Sequence, residues 1–290
     1  MKTRQKNILI TAFIMLSVSI SSAQQQEVKP VKLSLISGGL YEILDGRGAN
    51  GGLYIGDNSV IVIDAKMDKE SVEQTMKEIS KVTDKPITYL VNTHSDGDHV
   101  NGNQYFPEEV IIIAHENCRK EFFQSGRDGA PSSWENPELE PYIPELTFMD
   151  QMNIYSGSKK VELWYFGVGH TTGDIVVYIP EEKTAFLGDQ FFEGRPQLIH
   201  SYKGGNSFGH VKALTKMLET LGAEKFCSGH GEIAEREDIL NHISQMIAYQ
   251  EKVKSLMDNN KSLDEIKGEF DENEARLVES IYNEITTGSF

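Results

Sequence analysis

The stretch "VNTHSDGDHVNGN", Val91 to Asn103, packs four metal-binding side chains into six positions: His94, Asp96, Asp98 and His99. Three later segments carry the same kinds of group in the same setting. "WYFGVGHTTGD" holds His170 and Asp174, "TAFLGDQ" holds Asp189, and "KFCSGHGE" holds His230. In each, an apolar run with strand character ends in a tight polar loop. Loops held by a rigid sheet are where catalytic and metal-binding groups converge. Imidazole and carboxylate donors suit Zn2+, and sets richer in oxygen admit iron or manganese. Two such cations about 3.5–4 Å apart lower the pKa of a shared water and stabilise the oxyanion formed when it attacks.

The elements that must position these groups are legible as runs of apolar and β-branched residues between turn residues. "LYEIL", "GGLYIG" and "VIVID" read as three strands separated by Gly, Asn and Asp, after a polar leader. From Lys69, "KESVEQTMKEISKV" places Val72, Met76 and Ile79 on one face of a helix. "ITYLVNT" and "VIIIAH" read as buried strands and "ENCRKEFFQ" as a helix. "SGRDGAPSSWENPELEPYIPE", with Trp134 in its middle, reads as a long loop, either a lid or substrate rim or surface decoration. Strands resume with "KKVELWYFGVG", "DIVVYIP" and "TAFLGD". A helix then spans about Phe208 to Leu221, "KFCSG" is a short strand, and "REDILNHISQMIAYQEKVKSLM" and "DENEARLVESIYNEI" are helical. Neither a solenoid repeat nor a low-complexity tract is present. The order of β-rich half, helices, β-rich half, helices predicts two packed sheets with helices outside.

These motifs, taken in order, resemble the metallo-β-lactamase superfamily across nearly all of the chain after its leader. The family signature is His-x-His-x-Asp-His, a His in a Gly-His-Thr context, an Asp or Cys after a strand, and a last His. The resemblance implies an α/β (α+β) fold, the αββα four-layer sandwich, with a binuclear zinc site at one edge of the sheets. It implies His94, position 96 and His170 for the first metal. Asp98, His99 and His230 would hold the second, with Asp189 bridging or joining it.

Position 96 departs from that signature, because Asp96 replaces its second His. By bond counting, an Asp carboxylate reaches roughly 1 Å less far from the backbone than the distal nitrogen of a His. Asp96 either ligates after a shift of metal or loop, or falls short and leaves only the second metal firmly held. If it ligates, two His and one carboxylate form a set also used by non-heme Fe(II) enzymes, which admits Fe or Mn there. Asp96, Asp98, Asp189 and a bridging hydroxide would also neutralise two divalent cations, giving a weaker Lewis acid. The flavodiiron branch of the superfamily has a Glu at this position, but depends on a flavin domain that this sequence lacks.

Several other residues are expected to support the site. Asp64, closing "VIVID", resembles the acid that braces the metal loop from behind. Asp174 is expected to fix the loop around His170. His115 reads as a support behind the ligands or as a core residue. His200 and His210 should flank the site, with surface histidine as the default for both, and His242 reads as an ordinary helix residue.

Bulk properties narrow the function. The first 23 residues have a basic head (Lys2, Arg4, Lys6), an apolar run from Ile8 to Ile20, and small residues at Ser21 and Ala23. They read as a signal peptide cut after Ala23, ahead of one domain over 24–290, in a secreted or periplasmic protein without a stable membrane anchor. Removing Lys2, Arg4 and Lys6 with it takes the formal net charge from −16 to −19. Such a chain repels nucleic acid and anionic membranes, which leaves a small-molecule substrate. Cys118 and Cys227 either pair in that oxidising compartment or remain buried thiols.

The expected activity is that of an exported metallo-hydrolase. A metal-bound hydroxide, oriented by Asp98, would attack a small ester, lactone, thioester or similar substrate. A class B-like β-lactamase is a second possibility. Against it, Asp189 stands where the best-known subclass has a zinc-ligand Cys. Phe192 stands where that subclass has the Lys that grips the drug's carboxylate. The same ligand set is also compatible with a non-heme iron redox enzyme or a non-catalytic metal-binding protein.

Overall fold

The computed structural model describes residues 28–289. The expected signal peptide lies outside them. The first sheet runs in the order β1 (Lys32–Ser37), β2 (Leu40–Leu44), β3 (Gly51–Ile55), β4 (Val60–Ile63), β5 (Ile87–Val91), β6 (Ile111–His115) and β7 (Leu146–Phe148). It is antiparallel as far as β4 and parallel from β4 to β7. The second sheet contains β8 (Gln151–Ser156), β9 (Lys159–Trp164), β10 (Val176–Ile179), β11 (Thr184–Gly188), β12 (Lys225–Ser228) and β13 (Ala234–Glu235), in reverse spatial order from β13 to β8. Its one parallel pair is β11 with β12.

The period of two along the central strands explains why the sheets stack. In β4, Ile61 and Ile63 face the second sheet, while Val60 and Val62 face away. In β10, Val177 and Ile179 face the first sheet, while Val176 and Tyr178 face away. Both faces of these strands are therefore apolar, and each outer face needs a cover. Helix α1 (Lys69–Ser80) lays Val72 and Ile79 on the first sheet, as its sequence pattern predicts. After α2 (Gly97–Val100) and α3 (Glu116–Glu121), helices α4 (Ser207–Thr220) and α5 (Arg236–Asp258) cover the second sheet. Leu214, Met217, Ile239 and Ile243 are the contacts, and the result is the expected αββα sandwich. Two more helices, α6 (Leu263–Lys267) and α7 (Ala275–Thr287), pack with α5 around Val253, Ile266, Val278 and Ile281.

Some local expectations change. The strands β1, β7 and β8 lie at sheet edges, β1 near the stretch read as a leader and β7 and β8 in a stretch where the sequence predicts no element. The segment expected as a loop around Trp134 contains two 3-10 turns, Ser133–Glu135 and Pro137–Tyr142. Trp134 is buried against Phe122, so it anchors this segment to the domain. Cys118 and Cys227 do not pair. They are free thiols buried in separate apolar clusters, one beside Trp134 and one between the sheets. No helix among the described residues is long and apolar enough to cross a membrane.

Candidate metal centre

All four ligand-bearing motifs follow the carboxyl ends of strands, from both sheets and on one edge of the sandwich. His94, Asp96, Asp98 and His99 follow β5, and His170 follows β9. Asp189 follows β11 and His230 follows β12. The chain turns sharply after β5 because Asn92 and Asn103 exchange side-chain amide hydrogen bonds of 3.1 and 2.8 Å across the loop's base. Gly102 permits that closure, since a Cβ there would sit 1.9 Å from the Ala65 carbonyl oxygen. Gly188, at φ 54°, turns β11 so that Asp189 enters the centre, and a Cβ there would meet Thr93 Oγ1 at 2.4 Å.

Two groups of donors converge. The first comprises His94, Asp96, His170 and Asp189, all buried, and the second Asp98, His99 and His230. In the first, Asp96 Oδ2 lies 2.9 Å from His170 Nε2 and 3.5 Å from His94 Nε2. Asp96 occupies the N-cap position of α2 but leaves the helix uncapped, so its carboxylate turns into the centre instead. In the second, Asp98 Oδ2 lies 2.9 Å from His230 Nε2. Asp189 reaches both groups. Its Oδ1 is 3.0 Å from His99 Nε2 and 3.4 Å from His230 Nε2, and its Oδ2 is 4.0 Å from both His94 Nε2 and His170 Nε2.

The far ring nitrogens are fixed by acceptors, which assigns the tautomers. His99 Nδ1 donates to Asp64 Oδ2 at 2.7 Å. Thr93 donates its backbone N–H and its hydroxyl to the same carboxylate, each at 2.8 Å. The Thr93 oxygen can therefore accept from His94 Nδ1, 3.1 Å away. His170 Nδ1 donates to the Leu198 carbonyl at 2.7 Å. One acid, held at φ 59°, thus aims an imidazole into each group. His94 Nε2 is buried with no hydrogen-bond partner. A bare lone pair facing carboxylate oxygens calls for a cation, so the donor set fits a divalent metal.

Electrostatics point the same way. Burial alone would raise the Asp96 and Asp189 carboxyls, but the surrounding histidines hold both well below the usual range. Burial opposes charge on His99, yet Asp189 and Asp64 hold it well above its ordinary value. His170 and His230 are each raised to about 9, against burial, chiefly by Asp96 and by Asp189 with Asp98 respectively. Protons and metal ions compete for the same nitrogens here.

Sequence reasoning missed one functional neighbour, Lys203. Its largely buried ammonium donates to Asp96 Oδ1 at 2.7 Å, Ser95 Oγ at 2.8 Å and the Ser95 carbonyl at 3.1 Å. Ser95 Oγ in turn donates to Glu121, which also accepts from Thr172 N and Oγ1. Lys203 changes the charge count expected from the sequence. Its ammonium offsets Asp96, so the pair carries the same net charge as the neutral His of the usual signature. No periodic pattern marks this lysine, which lies more than a hundred residues from the loop it holds.

The remaining expected residues divide. Asp174 accepts from Thr171 N and Oγ1 and fixes the loop around His170. His115, expected behind the ligands or in the core, takes the core role. It donates to the Met149 carbonyl, caps α3 through Asn117 N and stacks on Tyr165, so its contacts serve the fold. His210 and His242 form a buried pair with Nε2 atoms 3.0 Å apart, neither of them on the surface. His200 enters the centre, with Nδ1 3.1 Å from Asp96 Oδ2. Phe192 stacks on His230 and meets His170 edge-on, so an apolar ring walls the site.

Comparison with known proteins agrees with this arrangement. The Metallo-beta-lactamase type 2 of Bacteroides fragilis is 20% identical over 251 residues, covering 82% of this chain and 95% of that protein. The 2,4-dinitroanisole O-demethylase subunit alpha of Nocardioides sp. (strain JS1661) is 28% identical over 144 residues. That match covers 48% of this chain and only 40% of the demethylase subunit. The solved metallo-beta-lactamase from Pontibacter korlensis superposes with a TM-score of 0.62 at 17% identity, over 74% of this chain and 98% of that one, a likeness of fold. The sequence model of the Metallo-beta-lactamase superfamily matches residues 44–230, from the end of β2 to the last histidine of the centre, and the chain belongs to that superfamily.

Proposed function

We propose that this chain is an exported hydrolase dependent on divalent metal ions, acting on a small ester, lactone or thioester. The observation that carries this reading is the unpartnered, buried His94 Nε2 within two facing groups of imidazoles and carboxylates. His94, Asp96 and His170 would hold one ion, Asp98, His99 and His230 the other, and Asp189 would join them. Bound zinc ions would supply an activated water and stabilise the charge that develops on a carbonyl oxygen.

The protein's own residues define the approach. Asp98 and His230 keep about a third of their side-chain surface open, whereas His94, His99 and His170 have none, so substrate enters over the second group. Asp98 Oδ2, 2.9 Å from His230 Nε2, is placed to orient the attacking water by accepting its proton. Phe192 offers the substrate an apolar wall, and the Arg195 guanidinium stacks on that ring 3.9 Å from its centroid.

The test is elemental analysis of protein purified without added metal, beside turnover of lactone, thioester, ester, phosphodiester and β-lactam substrates. 2,4-Dinitroanisole belongs in the panel because one relative is named for its demethylation. Zinc with chelator-sensitive ester, lactone or thioester turnover is the expected result. Iron with oxygen consumption would replace the hydrolase reading, and absence of metal would leave a non-catalytic protein.

A further inference from the structure

We infer that His200 is a fourth protein ligand of the first metal position, supplying from a different loop the imidazole that position 96 lacks. This rests on the reading that the two groups hold divalent ions.

His200 Nδ1 is buried and has no hydrogen-bond partner, the same condition as His94 Nε2. It lies 3.1 Å from Asp96 Oδ2. Three ring nitrogens thus surround one carboxylate oxygen: His170 Nε2 at 2.9 Å, His200 Nδ1 at 3.1 Å and His94 Nε2 at 3.5 Å. Ligands bonded at 2.0–2.1 Å in a tetrahedron stand about 3.3 Å from one another, and the three spacings from Asp96 Oδ2 bracket that value. Asp189 fits the first position less well. Its Oδ2 is 4.0 Å from both first-group nitrogens, while its Oδ1 sits at 3.0 and 3.4 Å from His99 and His230.

The placement of His200 is built into the backbone. Its N–H donates to the His170 carbonyl at 2.9 Å, and its own carbonyl accepts from Lys203 N at 2.8 Å and Gly205 N at 3.0 Å. His170 Nδ1 reaches back to Leu198 O, two residues before His200. The same short loop therefore orients His170, brings Lys203 to Asp96 Oδ1, and leaves Oδ2 facing three imidazoles.

Four protein ligands close the first position. Closed sites hold metal tightly, whereas sites that do chemistry keep a position for water or substrate. The open position then belongs to the second group, where Asp98 and His230 are the solvent-exposed donors.

The test uses the whole protein loaded with cobalt(II) in place of the native ion. Proton NMR in water then shows one strongly shifted, exchangeable N–H signal for each ligated imidazole. The expected wild-type spectrum has five such signals, from His94, His99, His170, His200 and His230. His200→Gln should lose one of them and weaken cobalt binding at one of the two positions at least tenfold, measured by chelator competition. Four signals in the wild type overturn the inference, making His200 a neighbour of Asp96 that binds no metal; this holds even if the variant does not fold. A protein that binds no cobalt overturns the inference and the proposed function together, whereas four signals leave that function standing.

Discussion

Lys203 Nζ lies 2.7 Å from Asp96 Oδ1, and the other oxygen of the same carboxylate faces His170 Nε2 at 2.9 Å. The ammonium has three hydrogens and three acceptors, all in Ser95 and Asp96, so it has none left for a substrate. Asp96 is therefore one half of a pair, and restoring the usual signature histidine alone should fail. Asp96→His leaves a largely buried ammonium without its carboxylate, a loss of up to about 3 kcal/mol, the lower end of the range for removing one partner of a buried pair. Adding Lys203→Met should recover most of that stability. Urea denaturation of the two variants beside the wild type checks this. Equal stability of Asp96→His and the wild type would show that the pair is dispensable.

Asp64 serves both donor groups at once, taking His99 Nδ1 directly and His94 Nδ1 through the Thr93 hydroxyl. Asp64→Asn removes the charge that anchors these rings and offers an N–H where an acceptor is needed. Affinity for both ions should fall together, by about 10–100-fold, as for other outer partners of ligating histidines. Competition with a chromophoric chelator reads the two affinities. A change confined to one of them would contradict the shared brace.

The fold was legible where the burial signal was strong. The strands buried on both faces, β3, β4, β6, β10 and β11, are mostly apolar runs. The edge strands β1, β7 and β8 have mostly exposed or half-exposed residues, such as Leu35, Leu146 and Tyr155, so no continuous buried run marks them. The seven residues expected as ligands announce themselves by type and by their place at strand ends. Lys203 and His200 do not, because what gives them their setting is the folding of the 198–206 loop against His170 and Gly169. That contact follows from tertiary docking and leaves no local pattern. His115 shows the converse: it follows a strand as the ligands do, yet its hydrogen bonds go to Met149 and Asn117.

Trp134 anchors the segment between α3 and β7, packed with Phe122 at a ring separation of 4.8 Å and with Cys118 and Ile143 in one cluster. Trp134→Ala should cost about 3–5 kcal/mol, the range for truncating a buried aromatic. Cleavage within 124–142 by a broad protease should rise, because an unanchored loop opens locally before the domain does. Zinc stoichiometry should stay unchanged, since no residue of the cluster is among the expected ligands. Mass spectrometry of the first fragments, with metal content, separates this from a lid closing over the site.

His210 and His242 share one hydrogen bond between Nε2 atoms, so one ring donates and the other accepts. Burial pushes His242 down from 6.5 to about 4, and burial with the neighbouring His242 and His170 pushes His210 well below 6.5. Depressed histidines fix the sign. The unfolded chain takes up protons first as pH falls, so stability is full above about 6.5 and drains away towards the folded value. For His242 the loss between pH 6.5 and 4 is about 3 kcal/mol, at 1.36 kcal/mol per pKa unit. Carboxylates titrate in part of the same window, so the comparison must be with His242→Gln, which keeps a hydrogen-bonding side chain but cannot take up a proton. Urea midpoints of metal-free protein should fall more steeply with acid in the wild type than in His242→Gln. Parallel slopes would mean that the buried pair plays no part in acid sensitivity.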